Sequence, residues 1–457
     1  MFAKILLQIV QTTKIVLLKA SKYFLMKYSN AALIVSVVFC LGSCSLKQKE
    51  STTPIPSLRG EVTSSLHPGM SMSIREDSLK VMSKSNTPVR YQIEIPEYIP
   101  YSSPDTIYKS YHFIPLETCE ESLVGNIRKI LFLEKRIVIT DRENENAYLF
   151  DREGKFLCKL GGKGRGPGEH LEVAGISYDE TNGHIIVIDH YGGQFVHYSV
   201  DGEYIGEDPM FYHTRDVEFT KDRIVSLTGK FYNSSAKMLD LYQLVVADTL
   251  QKPLAVGYKT SDAVRSAFHF ENELFKANGE LFYHDILTDT LFAIKGDSIV
   301  PFLAAKFDRG PLFSQNEIQH MTDELYVNRI NSTESVTHFF VTKNYVYITM
   351  SGNPKHISEP ACTSGMIYSI QSGKTKRVEF VQAASVQRFG DIFARQGMGG
   401  STDNNMAYNI LPPGVILSEI NSNHYKSVKL TPEEKAMVKT LTPESNPVLM
   451  IMEPVDF

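Results

Sequence analysis

From about residue 106 onward, the chain consists of short apolar runs separated by turn residues, and a helical period is almost absent. One such run, residues 136–141 (RIVITD), is rich in β-branched residues and is followed by a polar segment and a second run at residues 148–150. Runs of this kind, bounded by Gly, Asp and Asn, are typical of strands joined by tight hairpins. The pattern predicts an all-β fold.

The strand pattern repeats along the chain. Residues 137–141 align with residues 185–189, so that Asp141 and Asp189 stand 48 residues apart, and Gly154 and Gly202 have the same spacing. A third copy begins three periods after the first, at residue 281. A repeat of about 40 to 50 residues with four short strands is typical of a β-propeller blade.

Weaker units follow at residues 216–257, 268–307, 337–380 and 384–420. We therefore predict that residues 89–457 form an all-β, six-bladed β-propeller of four-stranded antiparallel blades. The extended apolar and aromatic run at residues 107–117 is the candidate N-terminal strand that closes the last blade, because closure removes open sheet edges. Short helices are expected at residues 313–327 and 431–440.

The glycine-rich stretch KLGGKGRGPGEH, residues 159–170, raises the question of a phosphate-binding loop. Backbone N–H groups and the side chains of Lys163 and Arg165 could converge there on an anion. A phosphate-binding loop is followed by a helix, however, and here the next pattern is another strand. We interpret the loop as the crossover from the outer strand of one blade to the inner strand of the next.

The N-terminal region predicts export. Residues 31–41 are apolar but too short to span a bilayer comfortably, and a lysine precedes them, as in a signal peptide. The sequence Leu41-Gly42-Ser43-Cys44 resembles the bacterial lipobox, which implies a signal region at residues 1–43 and lipidation of Cys44. The alternative is a signal peptide that contains Cys44 by chance. A second lysine-containing apolar segment at residues 1–25 suggests that Met26 is the true start.

Residues 44–88 are rich in Ser, Thr, Pro, Lys and Met, which predicts a flexible tether between the lipid and the propeller. The lipid would attach the protein to a membrane of the cell envelope, and we expect the outer membrane. A net charge of −5 and a pI of about 6.2 give no basic field for nucleic acid. Cys119, Cys158 and Cys362 are an odd number without metal-ligand spacing, so they predict no cysteine-based metal site.

Several segments together resemble one NHL repeat, namely residues 166–170, 175–179, 183–189, 195–198 and 201–202. The wider chain is similar to the six-bladed, NHL-like β-propeller lipoproteins of Bacteroidetes-type Gram-negative bacteria, also at residues 113–117, 289–292 and 446–449. The resemblance implies a fold rather than a reaction. The chain departs from the NHL pattern at Asn146, Gly192 and Gln194, which weakens any transfer of a nucleic-acid or peptide role.

The blade connectivity predicts one loop-rich mouth of the central channel. Crossovers between blades and the turns between strands two and three lie at the same end of each sheet, so their polar side chains should surround this mouth. The candidate ligand-binding residues are Arg142, Lys163, Arg165, Asp189, His190 and Arg309. The alternative is that these are ordinary loop residues and that the aspartates cap turns.

Two functions remain open at this stage. The first is a non-catalytic module that binds an envelope protein or a small polar ligand, with no cofactor and no catalytic residues. The second, taken from the metal-dependent lyases and hydrolases among NHL-like propellers, is a metal site in the channel with His269 and His338 as ligands. Two candidate ligands are fewer than the three that catalytic zinc requires, so we favour the first.

Overall fold

Short antiparallel sheets make up most of the chain, as the sequence pattern predicts. The computed structural model describes residues 62–64, 72–85, 87–95, 101–228, 233, 236–259, 273–351, 364–378, 388–394, 399–404, 406–422 and 428–457. Their strands form six sheets in a ring, and the fold is a six-bladed β-propeller. The predicted signal region, Cys44 and His269 lie outside the described residues.

Each blade contains four antiparallel strands. In blades 1 to 5 these strands are consecutive in the sequence from the channel outward, whereas the outermost strand of blade 6 comes from an earlier part of the chain. Blade 1 consists of Ile127–Phe132, Arg136–Asp141, Asn146–Asp151 and Phe156–Lys159. Blade 2 consists of Gly175–Asp179, His184–Asp189, Gln194–Tyr198 and Tyr204–Pro209. Blade 3 consists of Asp216–Phe219, Ile224–Leu227, Tyr242–Ala247 and Pro253–Lys259.

Blade 4 consists of Glu273–Ala277, Glu280–His284, Thr290–Lys295 and Ser298–Phe307. Blade 5 consists of Ser335–Val341, Tyr345–Ser351, Ser364–Ser369 and Thr375–Val378. Blade 6 consists of Gly400–Ser401, Ala407–Leu411, Val448–Pro454 and the much earlier strand Tyr108–Pro115. The first strands of neighbouring blades lie against one another around the channel, and the apolar core fills the space between blades.

The ring closes as expected. Tyr108–Pro115 pairs antiparallel with Val448–Pro454 and is the outermost strand of blade 6. The sixth unit was predicted to end near residue 420, which is wrong, because its third strand follows two further helices in the sequence. The strands from the two ends of the propeller therefore share one sheet.

The prediction of a flexible tether at residues 44–88 is wrong for residues 72–85. Lys80–Val81 pairs in parallel with the outer strand of blade 3, and Ser83–Lys84 pairs in parallel with the outer strand of blade 4. Ile74 and Met82 are buried against these blades. The sequence gives little sign of this because the added strands are two residues long and only a few apolar side chains anchor them.

The same segment continues along the ring. Tyr91–Ile95 pairs in parallel with the outer strand of blade 4, and Tyr101–Ser102 with that of blade 5. We call residues 72–102 the strap, since their described strands add a further strand at the outer edge of three consecutive blades before the chain enters blade 6. A short hairpin, Val62–Ser64 with Met72–Ile74, overlaps its start.

Helices decorate the ring. The helix predicted at residues 313–327 is present as two helices, Gln315–Gln319 and Asp323–Ser332, because the side chain of Thr322 caps a new start. The helix predicted at residues 431–440 is Pro432–Thr440, with Thr431 and Glu434 forming its capping box. The other helices among the described residues are Glu76–Ser78, Pro104–Ile107, Glu120–Ser122, Lys237–Leu241, Asp391–Ala394 and Pro413–Asn421. Within the described ranges, every helix is too short or too polar to cross a membrane.

Candidate functional site

Two buried aspartates connect the loops at the predicted mouth. In blade 1, the carboxylate of Asp141 accepts backbone hydrogen bonds from Gly125 and Asn126 at 2.7 and 2.8 Å. Burial opposes ionisation of Asp141, but these N–H groups outweigh it and hold the pKa of the carboxyl below its usual value. The carboxylate thus fixes the chain that enters blade 1 to the turn between strands two and three.

Asp189 makes the same connection in blade 2. Its oxygens accept from the backbone N–H groups of Leu171 and Glu172, each at 3.1 Å, and from Gly192 at 2.9 Å. Asp189 is fully buried, and both of its oxygens have partners within the fold. This geometry favours a structural role for Asp189 over the ligand role that the sequence suggested.

The glycine-rich loop joins the outer strand of blade 1 to the inner strand of blade 2, as interpreted from the sequence. The loop supplies its own anion: the Gly166 N–H donates to the carboxylate of Glu169 at 2.7 Å. The Gly164 N–H donates to the carbonyl of His170 at 3.0 Å. These internal bonds favour the structural reading of the loop as a tight crossover.

Above these connections lies a surface of cations and one aromatic ring, which we call the mouth surface: Arg142, Lys163, Arg165 and Tyr191. The first three are exposed, and the Tyr191 side chain is 72% exposed. The ammonium nitrogen of Lys163 lies 2.7 Å from a carboxylate oxygen of Glu145. This ion pair links the crossover to the neighbouring turn of blade 1. The structure therefore places three of the predicted cations on loops at one end of blades 1 and 2.

His190, another predicted ligand residue, lies beneath this surface. It is 7% exposed, and its ring centroid lies 4.7 Å from that of His213 and 5.8 Å from that of Tyr191. Burial, reinforced by His213, lowers the pKa of His190 to about 4. His190 is therefore a packed, neutral ring that supports the exposed Tyr191.

Arg309, at the corresponding crossover after blade 4, is held within the fold. Its guanidinium binds both oxygens of Asp289, at 2.9 and 3.1 Å, and lies 4.0 Å from the ring centroid of Phe307. Asp289 is 8% exposed, so Arg309 neutralises a buried carboxylate. One guanidinium nitrogen contacts both carboxylate oxygens, and the Nε–H donates to the carbonyl of Glu334 at 3.0 Å, so these contacts favour a structural role for Arg309.

The channel contains a charged network that sequence reasoning missed. The ammonium group of Lys129, on the inner strand of blade 1, lies 3.0 and 3.1 Å from the two oxygens of Asp216 and 3.4 Å from Glu218, both on the inner strand of blade 3. Ser177, on the inner strand of blade 2, donates to the other oxygen of Glu218 at 3.2 Å. Side chains of three blades therefore meet inside the channel.

The network's electrostatics follow from burial. Desolvation raises the pKa of Glu218, and the charge of Lys129 opposes that shift. Desolvation of Lys129 is in turn outweighed by the two carboxylates, which raise the pKa of its ammonium group. The sequence signal is the alternation Asp216-Val217-Glu218-Phe219, in which the charged side chains face one side of an inner strand.

The metal hypothesis remains a prediction. Of its two candidate ligands, only His338 is described, and its Nε2 atom lies 3.5 Å from Glu273. His284 lies 3.6 Å from the other oxygen of Glu273. Across the described part of the chain, no group of three or more His, Cys, Asp or Glu residues is arranged to hold a metal ion. Elemental mass spectrometry of the purified protein would test this hypothesis.

Comparison with known proteins agrees with the fold. The family model described as "Domain of unknown function (DUF4934)" matches residues 91–453. A crystal structure of a candidate exported protein from Bacteroides fragilis is similar, with a TM-score of 0.63, 16% identity, and coverage of 80% of this chain and 100% of that one. A DUF4221 family member from Bacteroides vulgatus has a TM-score of 0.45 and 11% identity, covering 77% of this chain and 98% of that one. None of the curated proteins compared matches the chain.

Proposed function

We propose that this chain, which belongs to the DUF4934 family, is a non-catalytic binding module of the bacterial cell envelope that recognises its ligand through the mouth surface. The ligand class is an envelope protein or a small polar molecule with negative charge, and nucleic acid is not among the expected partners. The arrangement that carries the proposal is the exposed set of Arg142, Lys163, Arg165 and Tyr191 above the two buried aspartate connections. Binding residues on loops held by a rigid scaffold are a common functional arrangement.

The electrostatics of the mouth surface support an anionic ligand. Lys163 is paired with Glu145, whereas Arg165 is exposed on a loop in which the carboxylate of Glu169 is bound to the loop's own backbone. A guanidinium group offers several donors to a carboxylate or phosphate. Tyr191 adds an exposed ring with a polar tip, a residue type enriched in interfaces.

The proposal includes an envelope location. The lipobox-like Leu41–Cys44 sequence supports lipidation of Cys44 and attachment to a membrane, which we expect to be the outer membrane. The similar Bacteroides protein described as a candidate for export is consistent with this location. Metabolic labelling with a fatty acid should label the wild-type protein and leave Cys44→Ala unlabelled. Labelling of Cys44→Ala would contradict lipidation at this residue.

Charge reversal tests the binding role. Envelope proteins and anionic metabolites captured by the wild type would be compared with those captured by Arg165→Glu. Lys155→Glu is the matched control, because Lys155 is an exposed cation in the turn at the opposite end of blade 1. We expect Arg165→Glu to reduce recovery of a specific ligand at least tenfold and Lys155→Glu to retain it. Equal recovery by all three proteins would refute the proposal.

A further inference from the structure

The outer edges of the blades are not equivalent. In blades 3, 4 and 5, the outer strand pairs in parallel with part of the strap. In blade 6, the guanidinium of Arg388 donates to the backbone carbonyls of Tyr108 and Lys109 on the outer strand, at 2.9 and 3.0 Å. In blade 1, the Phe156 N–H donates to the carboxylate of Glu117 at 2.9 Å. In each of these five blades, other parts of the chain bond to the outer edge.

Blade 2, like blades 1 and 6, is not covered by the strap. Among the described residues, no further strand pairs with its outer strand, Tyr204–Pro209. The carbonyl of Pro209 accepts from Gln251 at 2.7 Å, so the open part of the edge is residues 204–208. The side chains of Tyr204 and Ile205 are 42% and 46% exposed, and the space in front of Gly206 is empty to 4 Å. An open edge of this kind is a template for pairing with another chain.

The strap shows how this fold covers such an edge. At blade 3, the covering strand is short, extended and parallel, and Lys80 in it forms an ion pair with Asp297 at 3.2 Å. At blade 4, Ile93 and Ile95 bury their side chains while the intervening residues face solvent. At blade 4, the outer edge therefore accepts a strand in which buried apolar residues alternate with exposed polar ones.

Charge selects the occupant of blade 2. Its open edge carries the exposed carboxylates Glu203, Glu207 and Asp208. His197 reaches Asp208 at 3.2 Å, and the Tyr204 hydroxyl lies 3.4 Å from Glu207. A second copy of this chain would bring two acidic edges together, and like charges across a paired sheet are unfavourable. A chain with Lys or Arg between apolar residues would be complementary.

We propose that the outer edge of blade 2, residues 204–208, binds an extended basic segment of a partner protein, which adds to the blade as a parallel fifth strand. The backbone of the edge supplies hydrogen bonds, Tyr204 and Ile205 supply apolar contact, and Glu203 and Glu207 select positive charge. The strap pairs with three blades of this chain in the same geometry. This edge surface lies on the periphery of the ring and is separate from the mouth surface, so it does not depend on the proposed function.

The test uses the full chain and a labelled synthetic peptide with the sequence of residues 79–85 (LKVMSKS), a segment of the strap that carries two lysines beside apolar residues. Fluorescence anisotropy would give its affinity. The double variant Glu203→Lys/Glu207→Lys should weaken binding at least tenfold. Glu153→Lys, which makes the same change in the exposed turn of blade 1, is the matched control and should bind as the wild type does. A peptide with both lysines replaced by glutamate should not bind.

Hydrogen exchange locates the bound peptide. We expect backbone protection to increase at residues 204–208 when the peptide is added. Protection at the outer strand of blade 3 instead would show that the peptide displaces the strap, which would overturn the proposal. So would the absence of binding, or a concentration-dependent dimer that is lost in the lysine variants. Circular dichroism would confirm that each variant is folded.

Discussion

Lys129 on blade 1 extends past blade 2 to Asp216 on blade 3, and its ammonium nitrogen lies 3.0 Å from one carboxylate oxygen. The pair therefore connects blades that are not neighbours in the ring. Because the Lys129 and Asp216 side chains are only 22% and 21% exposed, the interaction is weakly screened by solvent. This cross-channel pair gives the first prediction.

Lys129→Met should destabilise the protein by about 3 kcal/mol, because removing one partner leaves buried carboxylates uncompensated. The free energy of unfolding from urea titration measures the effect. Lys155→Met, at an exposed lysine of the same blade, should change it by less than about 0.5 kcal/mol. Adding Glu218→Gln to Lys129→Met should recover part of the loss. A loss below about 1 kcal/mol would show that the network contributes little.

Gly161→Ala should destabilise the protein by about 2 kcal/mol. Gly161 has φ +77°, and a Cβ atom there would lie 2.3 Å from the carbonyl oxygen of Gly168. Gly162→Ala is the matched control, because a Cβ atom at the next position meets nothing within 4 Å. Thermal unfolding of the two variants compares them directly. Similar melting temperatures would mean that the crossover adapts to the added methyl group.

Arg309→Met should cost about 3 kcal/mol of stability, because Asp289 would remain buried without its cation. Arg309→Lys should restore only part of this, since an ammonium group can approach both oxygens of Asp289 but cannot also make the bond that the Arg309 Nε–H donates to the carbonyl of Glu334. The exposed Arg165 provides the comparison, and Arg165→Met should leave the free energy of unfolding nearly unchanged. If Arg309→Met were equally harmless, the ligand role suggested by the sequence would regain support.

Acidification should destabilise the protein through His190. Since the pKa of His190 is about 4 in the folded state and 6.5 in the reference state, folding favours the neutral ring. The stability that the neutral His190 ring contributes to the fold is fully present above pH 6.5. It is lost as the pH falls from 6.5 through about 4. His190→Phe keeps a ring beside His213 and should flatten the decline between pH 6.5 and 4 by roughly 2 to 3 kcal/mol.

Urea unfolding at several pH values would measure how steeply the free energy of unfolding of His190→Phe falls as the pH is lowered. His320→Phe, at an exposed histidine beside a helix, is the matched control. If His190→Phe kept the slope of the wild type, other groups would account for the acid sensitivity.

Ile93→Ala should weaken the attachment of the strap. Ile93 is 2% exposed and packs in the core between blades 4 and 5, so its truncation should cost about 2 to 4 kcal/mol. The neighbouring exposed Gln92 gives the control Gln92→Ala, for which we expect a change below about 0.5 kcal/mol. Hydrogen exchange at the outer strand of blade 4 should increase in Ile93→Ala only. Unchanged exchange would mean that the strap is held elsewhere.

The propeller could be predicted because its local signals repeat. Asp141 and Asp189 end the same strand in successive blades, and the turn glycines Gly154 and Gly202, with φ of +87° and +88°, share that spacing. The closing strand at residues 108–115 could be predicted because it is long and apolar. Most of the strap could not, because three of its strands are only two residues long and carry no measurable alternation.

The site was harder to predict than the fold. Loop position indicated correctly that Lys163 and Arg165 lie in one crossover, but the partners of a charged side chain depend on residues that are distant in sequence. Arg309 is paired with Asp289, and the charges of Lys129 and Asp216 are joined only when the ring forms. The sequence shows which side of a strand is polar, and the closed ring determines what that side meets.

The closing sheet of blade 6 has a consequence for the order of folding. Tyr108–Pro115 is synthesised long before its partner Val448–Pro454. Contacts between such distant segments form slowly. Until the last strand arrives, the early strand lacks its neighbour, and its apolar residues remain available to other chains. A chain interrupted before Val448 would therefore present Tyr108–Pro115 as an exposed, unpaired strand, which a quality-control protease or chaperone could recognise.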